Sequence, residues 1–284
     1  METTVIIPTY KRTNNLKRCL EGLANQTRLP DEVIVIVRGS DFETRNFLRK
    51  YYSSVNINEV LVDRPGQVAA LNKGLEASQG TYICILDDDT VPHKYWIEKI
   101  VNIFSTSEKI GGVGGRDWVY HGDQLEDGRK EIVGKVQWFG RVIGNHHLGY
   151  GEARDVDILK GANMSYRRAA IEGLKFDERL LGSGAQVHND MAFSLSVKRR
   201  GWRLIYDPEV AVDHYPGLRF DEDVRNSFNN DAFYYGVYNE TLILSNYIRS
   251  PLKRYAYIIW TLFIGTSNRP GLLQYLRLII KHPG

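Results

Sequence analysis

Over the first hundred residues, short apolar blocks alternate with segments of helical period. Val5–Ile7, Glu32–Val37, Ile57–Val62 and Thr81–Leu86 are rich in Val and Ile and almost unbroken in apolarity. That pattern predicts parallel strands covered on both faces. Between and after them, Asn14–Ala24, Asp41–Tyr51, Gln67–Ser78 and Pro92–Phe104 predict helices, the last with proline at its start. The alternation is a βαβ series, and in such sheets the ligand crevice lies beyond the carboxyl ends of the strands. Pro8–Arg12, Arg38–Asp41, Asp63–Gly66 and Asp87–Asp89 fall at those ends.

The pattern then changes. "IGGVGG" (110–115) predicts a further strand packed closely against its neighbours. Residues 116–155 are Gly-rich, with scattered aromatics and no clear period, and predict a long loop or small sheet region. Asp190–Arg200 predicts a helix, and "RLIYDPEVAVDHYPG" (203–217) predicts a strand, a turn and a strand. From about residue 222 the chain reads as helical and separate. The expected organisation is a catalytic domain over 1–220 and a C-terminal helical extension over 221–284.

A chain of 284 residues with 43% hydrophobic and 25% charged residues is an ordinary globular composition. Two cysteines, Cys19 in a predicted helix and Cys84 in a predicted strand, read as buried thiols in a reducing compartment. The N-terminus starts a strand at once, without a basic segment followed by an apolar one, so no signal peptide is read. The expected location is cytoplasmic, at the inner face of the cell membrane.

Net charge is +3, but unevenly placed. No Asp or Glu follows Glu240, while six Lys and Arg do; the other 31 of 37 basic residues precede it, with all 34 acidic ones. A basic tail on a slightly acidic body suggests a local anionic partner, not nucleic acid. "YAYIIWTLFIG" (255–265) and "GLLQYLRLIIKHPG" (271–284) are each too short to span a bilayer. Both are too apolar for a comfortable solvated helix. Tyr255, Tyr257, Trp260 and Tyr275 suit a headgroup boundary. The expectation is peripheral membrane contact through 250–284; the alternative is a helical pair packed on the catalytic domain or in a homodimer interface.

The strongest chemical signal is "YICILDDDTVP" (82–92), an apolar strand that ends in three carboxylates. Like charges about 4 Å apart repel by about 4 kcal/mol at an effective dielectric near 20. Hard oxygen ligands at a solvent-facing strand end suit Mg²⁺ or Mn²⁺, with a substrate phosphate completing the shell. The bland alternative is a solvated acidic turn capping the next helix.

Several separate stretches, in order over residues 3–216, resemble glycosyltransferase family two: "VIIPTYKR", "LKRCLEGLANQT", "LPDEVIVIV", "GQVAALNKGLEASQGTYICILDDDTVP", "LKGANMSYRRAAIEGLKFDERLLG" and "NDMAFSLSVKRRGWRLIYDPEVAVDH". The resemblance implies a GT-A fold, a Rossmann-like mixed α/β sheet flanked by helices. It implies an inverting, metal-dependent transfer of a sugar from a nucleotide-sugar, UDP-sugar by default, to a hydroxyl of a glycan or lipid-linked acceptor.

It also implies roles, residue by residue. Asp89 ligates a divalent ion, Mn²⁺ or Mg²⁺, with His214 near the metal and diphosphate. Asp87 or Asp88 contacts the ribose or a metal-bound water. Pro8, Thr9 and Tyr10 form the nucleotide-binding segment, with Tyr10 stacking on the base. Gly161, Ala162 and Asn163 line the donor-sugar pocket, and Asp190 is the general base. Two positions depart from the family. "VRGS" lacks the usual acidic residue after the second strand, so Arg38 or Asp41 takes part in base reading instead. Asn189 replaces the usual Glu before Asp190.

His188, Arg64 and Lys73 are further candidate phosphate or acceptor contacts; His146 and His147 read as a solvent-exposed pair. Competing readings are a non-catalytic nucleotide- or glycan-binding scaffold of the same fold and a haloacid-dehalogenase-like phosphatase. The latter places its Asp motif on the first strand, and here it lies on the fourth.

Overall fold

A computed structural model describes residues 2–220, 229–266 and 271–281. Strand β1 (Thr3–Thr9) leads to helix α1 (Thr13–Ala24), β2 (Glu32–Arg38) to α2 (Phe42–Lys50), and β3 (Ile57–Val62) to α3 (Gln67–Ala77). Next, β4 (Tyr82–Leu86) leads through a short β5 (Thr90–Pro92) to α4 (Trp96–Thr106). The long β6 (Ile110–His121) is followed by β7 (Gln124–Leu125), β8 (Lys135–Val136), β9 (Val142–Ile143), β10 (Arg154–Val156) and β11 (Asn163–Arg167). Then come α5 (Arg168–Ile171), α6 (Asn189–Arg199), β12 (Arg203–His214), α7 (Asn230–Tyr247), α8 (Pro251–Phe263) and α9 (Leu272–Lys281).

The main sheet is mixed, in the order β10-β12-β6-β11-β4-β1-β2-β3. Strands β1 to β4 pair in parallel, and β11 enters antiparallel between β4 and β6. Strand alternation divides the core. Val5, Ile7, Val33, Val35 and Cys84 pack with Leu16, Leu20, Trp96 and Phe104 on one face. Ile6, Ile34, Ile36, Ile83 and Ile85 pack with Leu71, Met191 and Leu195 on the other. The carboxyl ends of β1 to β4 therefore open together at one edge, between covered faces.

Three local expectations change. The helix expected from Pro92 starts at Trp96, because Thr90, Val91 and Pro92 pair with His214, Asp213 and Val212 of β12. A ladder partner more than a hundred residues away overrides the local helix-start signal. The strand–turn–strand expected over 203–217 is one strand, β12, whose register against β6 shifts between Asp207 and Val212. Pro208, which cannot donate to the ladder, lies in the bulge. The bulge presses on Gly115, where a Cβ would lie 2.6 Å from the Asp207 carbonyl oxygen. The strand expected to end near residue 115 continues to His121.

The C-terminal helices do not stand apart from the body. Asn239 of α7 is fully buried. It accepts from Leu181 N–H (2.8 Å) and donates to the carbonyls of Leu181 (3.0 Å) and Val187 (3.1 Å). The segment that precedes α6 is thus held by α7. Helix α8 buries Tyr257 in a cluster with Leu244 and Ile248, against Val136 and Val142. Trp260 meets Phe139 at 5.5 Å between ring centroids. Of the expected second domain, 221–228, 267–270 and 282–284 lie outside the described residues.

Asn239→Ala removes three bonds at once and leaves buried backbone groups unpaired. We expect it to destabilise the whole protein by about 2–4 kcal/mol. Urea unfolding followed by both fluorescence and circular dichroism measures this. A loss below about 0.5 kcal/mol would mean that α7 is a detachable appendage.

Candidate active site

A cavity of about 310 Å³ opens at the carboxyl ends of β1 to β4. Pro8, Thr9, Tyr10, Arg38, Asp87 and Asp89 are among its walls, with Gly66 and Gln67 from the start of α3 and Ser183–Ala185 opposite. Gly66 adopts φ 104°, and a Cβ there would strike Gln186 Oε1 at 2.3 Å. Only glycine lets the 183–186 segment close on α3 at that point. The closure is held by Gln67 N–H donating to the Gly184 carbonyl (2.7 Å) and Val68 N–H donating to Gln186 Oε1 (3.1 Å).

The three consecutive carboxylates separate in space. Asp88 is fully buried and does not line the cavity. It accepts from Thr9 Oγ1 (2.6 Å) and takes Arg12 on both oxygens, at 2.7 and 3.1 Å. Burial pushes its carboxyl up, against the pull of Arg12. Asp88 is thus a brace beneath β1, and of the Asp87/Asp88 alternative only Asp87 faces the ligand space. Asp87 Oδ1 accepts from Gln67 Nε2 at 3.1 Å. Burial, then the charge of Asp89, raise its carboxyl above the usual range.

Asp89 is buried, not solvent-facing. Its Oδ2 accepts from Gly217 N–H (2.9 Å) and Arg12 Nη1 (3.3 Å), and its Oδ1 lies 3.4 Å from His214 Nε2. Burial opposes its ionisation, but His214 and Arg12 hold it well below the usual carboxylate range. Repulsion within the acidic run is therefore met by two cations, and Arg12 is a site residue that sequence reasoning missed.

His214 continues the network. Its Nδ1 lies 3.4 Å from Asp117 Oδ2, and Lys160 Nζ pairs with the same oxygen. Burial works against a charged ring, yet Asp117 and Asp89 carry the His214 pKa up to about 9. Asp117 itself, despite burial, is held down to about 2 by Lys160 and His214. Neither Asp117 nor Lys160 stood out in the sequence. The available signal was the Arg116–Asp117 pair interrupting the Gly-rich β6.

Immediately after Lys160, Gly161 N–H donates to Asp190 Oδ2 at 2.9 Å. Asp190 Oδ1 accepts from Met191 N–H at 2.8 Å, at the start of α6. The carboxylate is thus held by two amides and remains part-exposed. Asn189 has a structural explanation. Its Nδ2 donates to the carbonyls of Ala185 (2.9 Å) and Gln186 (3.2 Å) and toward Gln67 Oε1 (3.3 Å). A glutamate has no proton to donate there.

Other expected residues fall elsewhere. Asp41 does not line the cavity: it caps α2 through Thr44, and its Oδ2 accepts from Lys11 N–H at 2.6 Å. The Asn163 side chain is spent between Trp96 Nε1 (2.8 Å) and the Val210 carbonyl (2.6 Å). Ala162 is buried; Gly161 alone of that trio is part-exposed beside Asp190. His146 is buried, its Nε2 donating to the Ile158 carbonyl (3.0 Å), and His147 meets Glu126 at 3.1 Å, so they are not an exposed pair. His188 approaches Glu240 of α7 at 3.8 Å, and Lys73 pairs with Glu76 at 3.6 Å. Arg64 lines the cavity and pairs with Glu178 at 2.7 Å. Arg38 stacks over Tyr10 at 4.8 Å, which gives the cavity mouth a flat cationic and aromatic wall.

Among the described residues no three carboxylate, Cys or His side chains converge as a ready-made metal cage. Asp89 lines the cavity, and its Oδ1 nonetheless forms an oxygen–nitrogen pair with His214 Nε2 just behind that wall, 3.4 Å apart, both atoms buried. Neighbouring ligands of an octahedral ion with bonds near 2.1 Å are about 3 Å apart, and such ions complete their shell with phosphate and water. The two residues fit a cation held jointly with a diphosphate.

Residues 4–174 match the model for "Glycosyl transferase family 2". The chain is 33% identical over 230 residues to "Glycosyltransferase AglE" of Haloferax volcanii, spanning 79% of this chain and 70% of that one. It is 25% identical over 228 residues to the "Glucosyl-dolichyl phosphate glucuronosyltransferase" of the same organism, spanning 75% and 69%. Among solved structures, TarS of S. aureus with UDP-GlcNAc superposes with TM-score 0.59 at 15% identity, over 92% of this chain and 80% of that one. GalNAc-T7 with UDP, GalNAc and Mn²⁺ gives 0.64 at 16%, over 86% and 48%. The shared architecture is the GT-A fold.

Proposed function

The chain belongs to glycosyl transferase family 2, and from that premise we propose an inverting, metal-dependent transfer from a nucleotide-sugar, UDP-sugar by default, to a hydroxyl of a lipid-linked glycan acceptor. One observation carries it. Contacts run continuously from Asp89 through His214, Asp117 and Lys160 to Gly161, whose amide holds Asp190. A group suited to the diphosphate and a group suited to an acceptor hydroxyl are thus fixed in one frame.

In this reading the Tyr10–Arg38 wall takes the base and Asp87 the ribose. Asp89 and His214 would hold Mn²⁺ or Mg²⁺, which when bound offsets the charge developing on the leaving diphosphate. Asp190 accepts the proton of the acceptor hydroxyl as its oxygen attacks the anomeric carbon. The new C–O bond forms as the bond to the diphosphate breaks, so the anomeric centre inverts. The amides of Gly161 and Met191 fix the carboxylate without supplying a competing charge. A thermal-shift screen of UDP-, GDP- and dTDP-sugars with Mn²⁺ tests the donor, since a ligand bound only by the native state raises its stability. Stabilisation by none of them would remove the donor reading.

The acceptor reading draws on the dolichyl phosphate in the name of the second relative. It also draws on the tail. No described helix is long and apolar enough to cross a membrane. Helix α8 is apolar on two sides: Tyr257 and Trp260 dock on the body, while Leu252, Tyr255, Ile258, Ile259, Leu262 and Phe263 are exposed. On α9, Leu272, Leu273, Leu276 and Ile280 repeat at helical spacing and are exposed too. The side chains of Tyr275, Arg277 and Lys281 lie outside the described residues.

An apolar stripe in a segment with only basic charges suits the surface of an anionic bilayer. Ile259→Glu with Leu262→Glu spares the docked face. We expect it to abolish co-sedimentation with phosphatidylglycerol vesicles while transfer to a water-soluble acceptor analogue persists. Equal sedimentation of variant and wild type would leave packing in a homodimer as the role of the stripe.

A further inference from the structure

Asp117 stands outside every motif of the sequence, yet it is 1% exposed and touches the site. On β6 it follows the buried Arg116, which bonds the His147 carbonyl and not Asp117, and it caps no helix. One oxygen, Oδ2, takes Lys160 and lies 3.4 Å from His214 Nδ1. The other, Oδ1, is buried without a hydrogen-bond partner among the described residues. A half-satisfied buried carboxylate is costly to a fold, so packing does not account for it.

The direction of the contact does. His214 lies between the two carboxylates, its Nε2 3.4 Å from Oδ1 of Asp89, a cavity residue, and its Nδ1 3.4 Å from Oδ2 of Asp117, which does not line the cavity. A histidine whose far nitrogen donates to a carboxylate is fixed in ring orientation, and it keeps its proton there when a cation displaces the one on the near nitrogen. We propose that Asp117 is the positioning residue of His214, accepting the Nδ1 proton so that Nε2 is aimed at Asp89 and the cation. Lys160 holds Asp117 in turn, and because Gly161 follows it, the same turn registers the cation side against Asp190. The proposal rests on the reading of Asp89 and His214 as metal ligands.

The test is Mn²⁺ affinity in the presence of UDP, read from the electron paramagnetic resonance of free Mn²⁺, with thermal melting to confirm folding. Asp117→Ala weakens Mn²⁺ binding about 10–100-fold. Asp117→Asn, whose amide oxygen still accepts from Nδ1, recovers part of the loss. Asp89→Asn and His214→Ala are the reference variants. If these lose affinity while a folded Asp117→Ala stays within about twofold of wild type, Asp117 has no positioning role. If the reference variants also keep their affinity, the metal reading itself falls. Should Asp117→Ala not fold, ¹⁵N resonances of His214 in wild-type protein loaded with Mg²⁺ and UDP decide. A proton on Nδ1 agrees with the proposal, and one on Nε2 overturns it.

Discussion

Asp190→Asn is expected to bind donor nucleotide as wild type does and to lose sugar transfer by about 10²–10⁴-fold, the usual range for removing a general base. The amide oxygen can replace Oδ2 as acceptor for Gly161 N–H, now made at 2.9 Å, so the turn survives. What is lost is the ability to take a proton. The Met191 N–H on the other oxygen loses its partner, a cost of about 1 kcal/mol in stability. The two readouts separate. Calorimetric titration with UDP and Mn²⁺ should give an unchanged affinity, while rapid-quench assay with labelled donor and acceptor should give the rate loss. Transfer near the wild-type rate would assign the base to another group.

Asp89→Asn is expected to remove metal-dependent nucleotide binding, with affinity for UDP no longer raised by Mn²⁺. Here the structure alters the expectation drawn from sequence. Asp89 is 3% exposed and shared by Arg12, His214 and Gly217 N–H. Neutralising it weakens contacts to two buried cations, so the variant is also expected to lose about 1–3 kcal/mol of stability. Binding must therefore be compared at a temperature where both proteins are folded. A melting midpoint as in wild type would mean that Arg12 and Asp88 alone hold the turn. A retained Mn²⁺ effect would take Asp89 out of the cation site.

Local pattern carried much of the outcome. Apolar blocks dictated β1, β2 and β4 because a strand buried on both faces has no polar side to show, whereas β3, at the sheet edge, is only part-buried. Gly66 set the start of α3 and Asp41 that of α2. Acidic residues ending β4, and an Asp opening α6, were conspicuous because charge is out of place there. Their chemical types bounded the reaction class before any coordinates.

What the sequence could not decide is which side chain each charge would meet. Thr90–Pro92 became a strand, not a helix start, only because β12 arrives beside it. Asp88 and Asp89 are both buried against Arg12, which comes from another loop, while Asp87 and Asp89 still border the cavity. Asp41 and Asn163 are held by partners that local pattern does not reveal: Thr44 and the Lys11 amide for one, Trp96 and Val210 for the other. Asp117 entered the site through a contact 97 positions along the chain. Strand and helix period is a short-range property written in neighbouring residues. The partner of a buried charge is selected by the packing of distant segments, because an unpaired ion in the interior is too costly to leave.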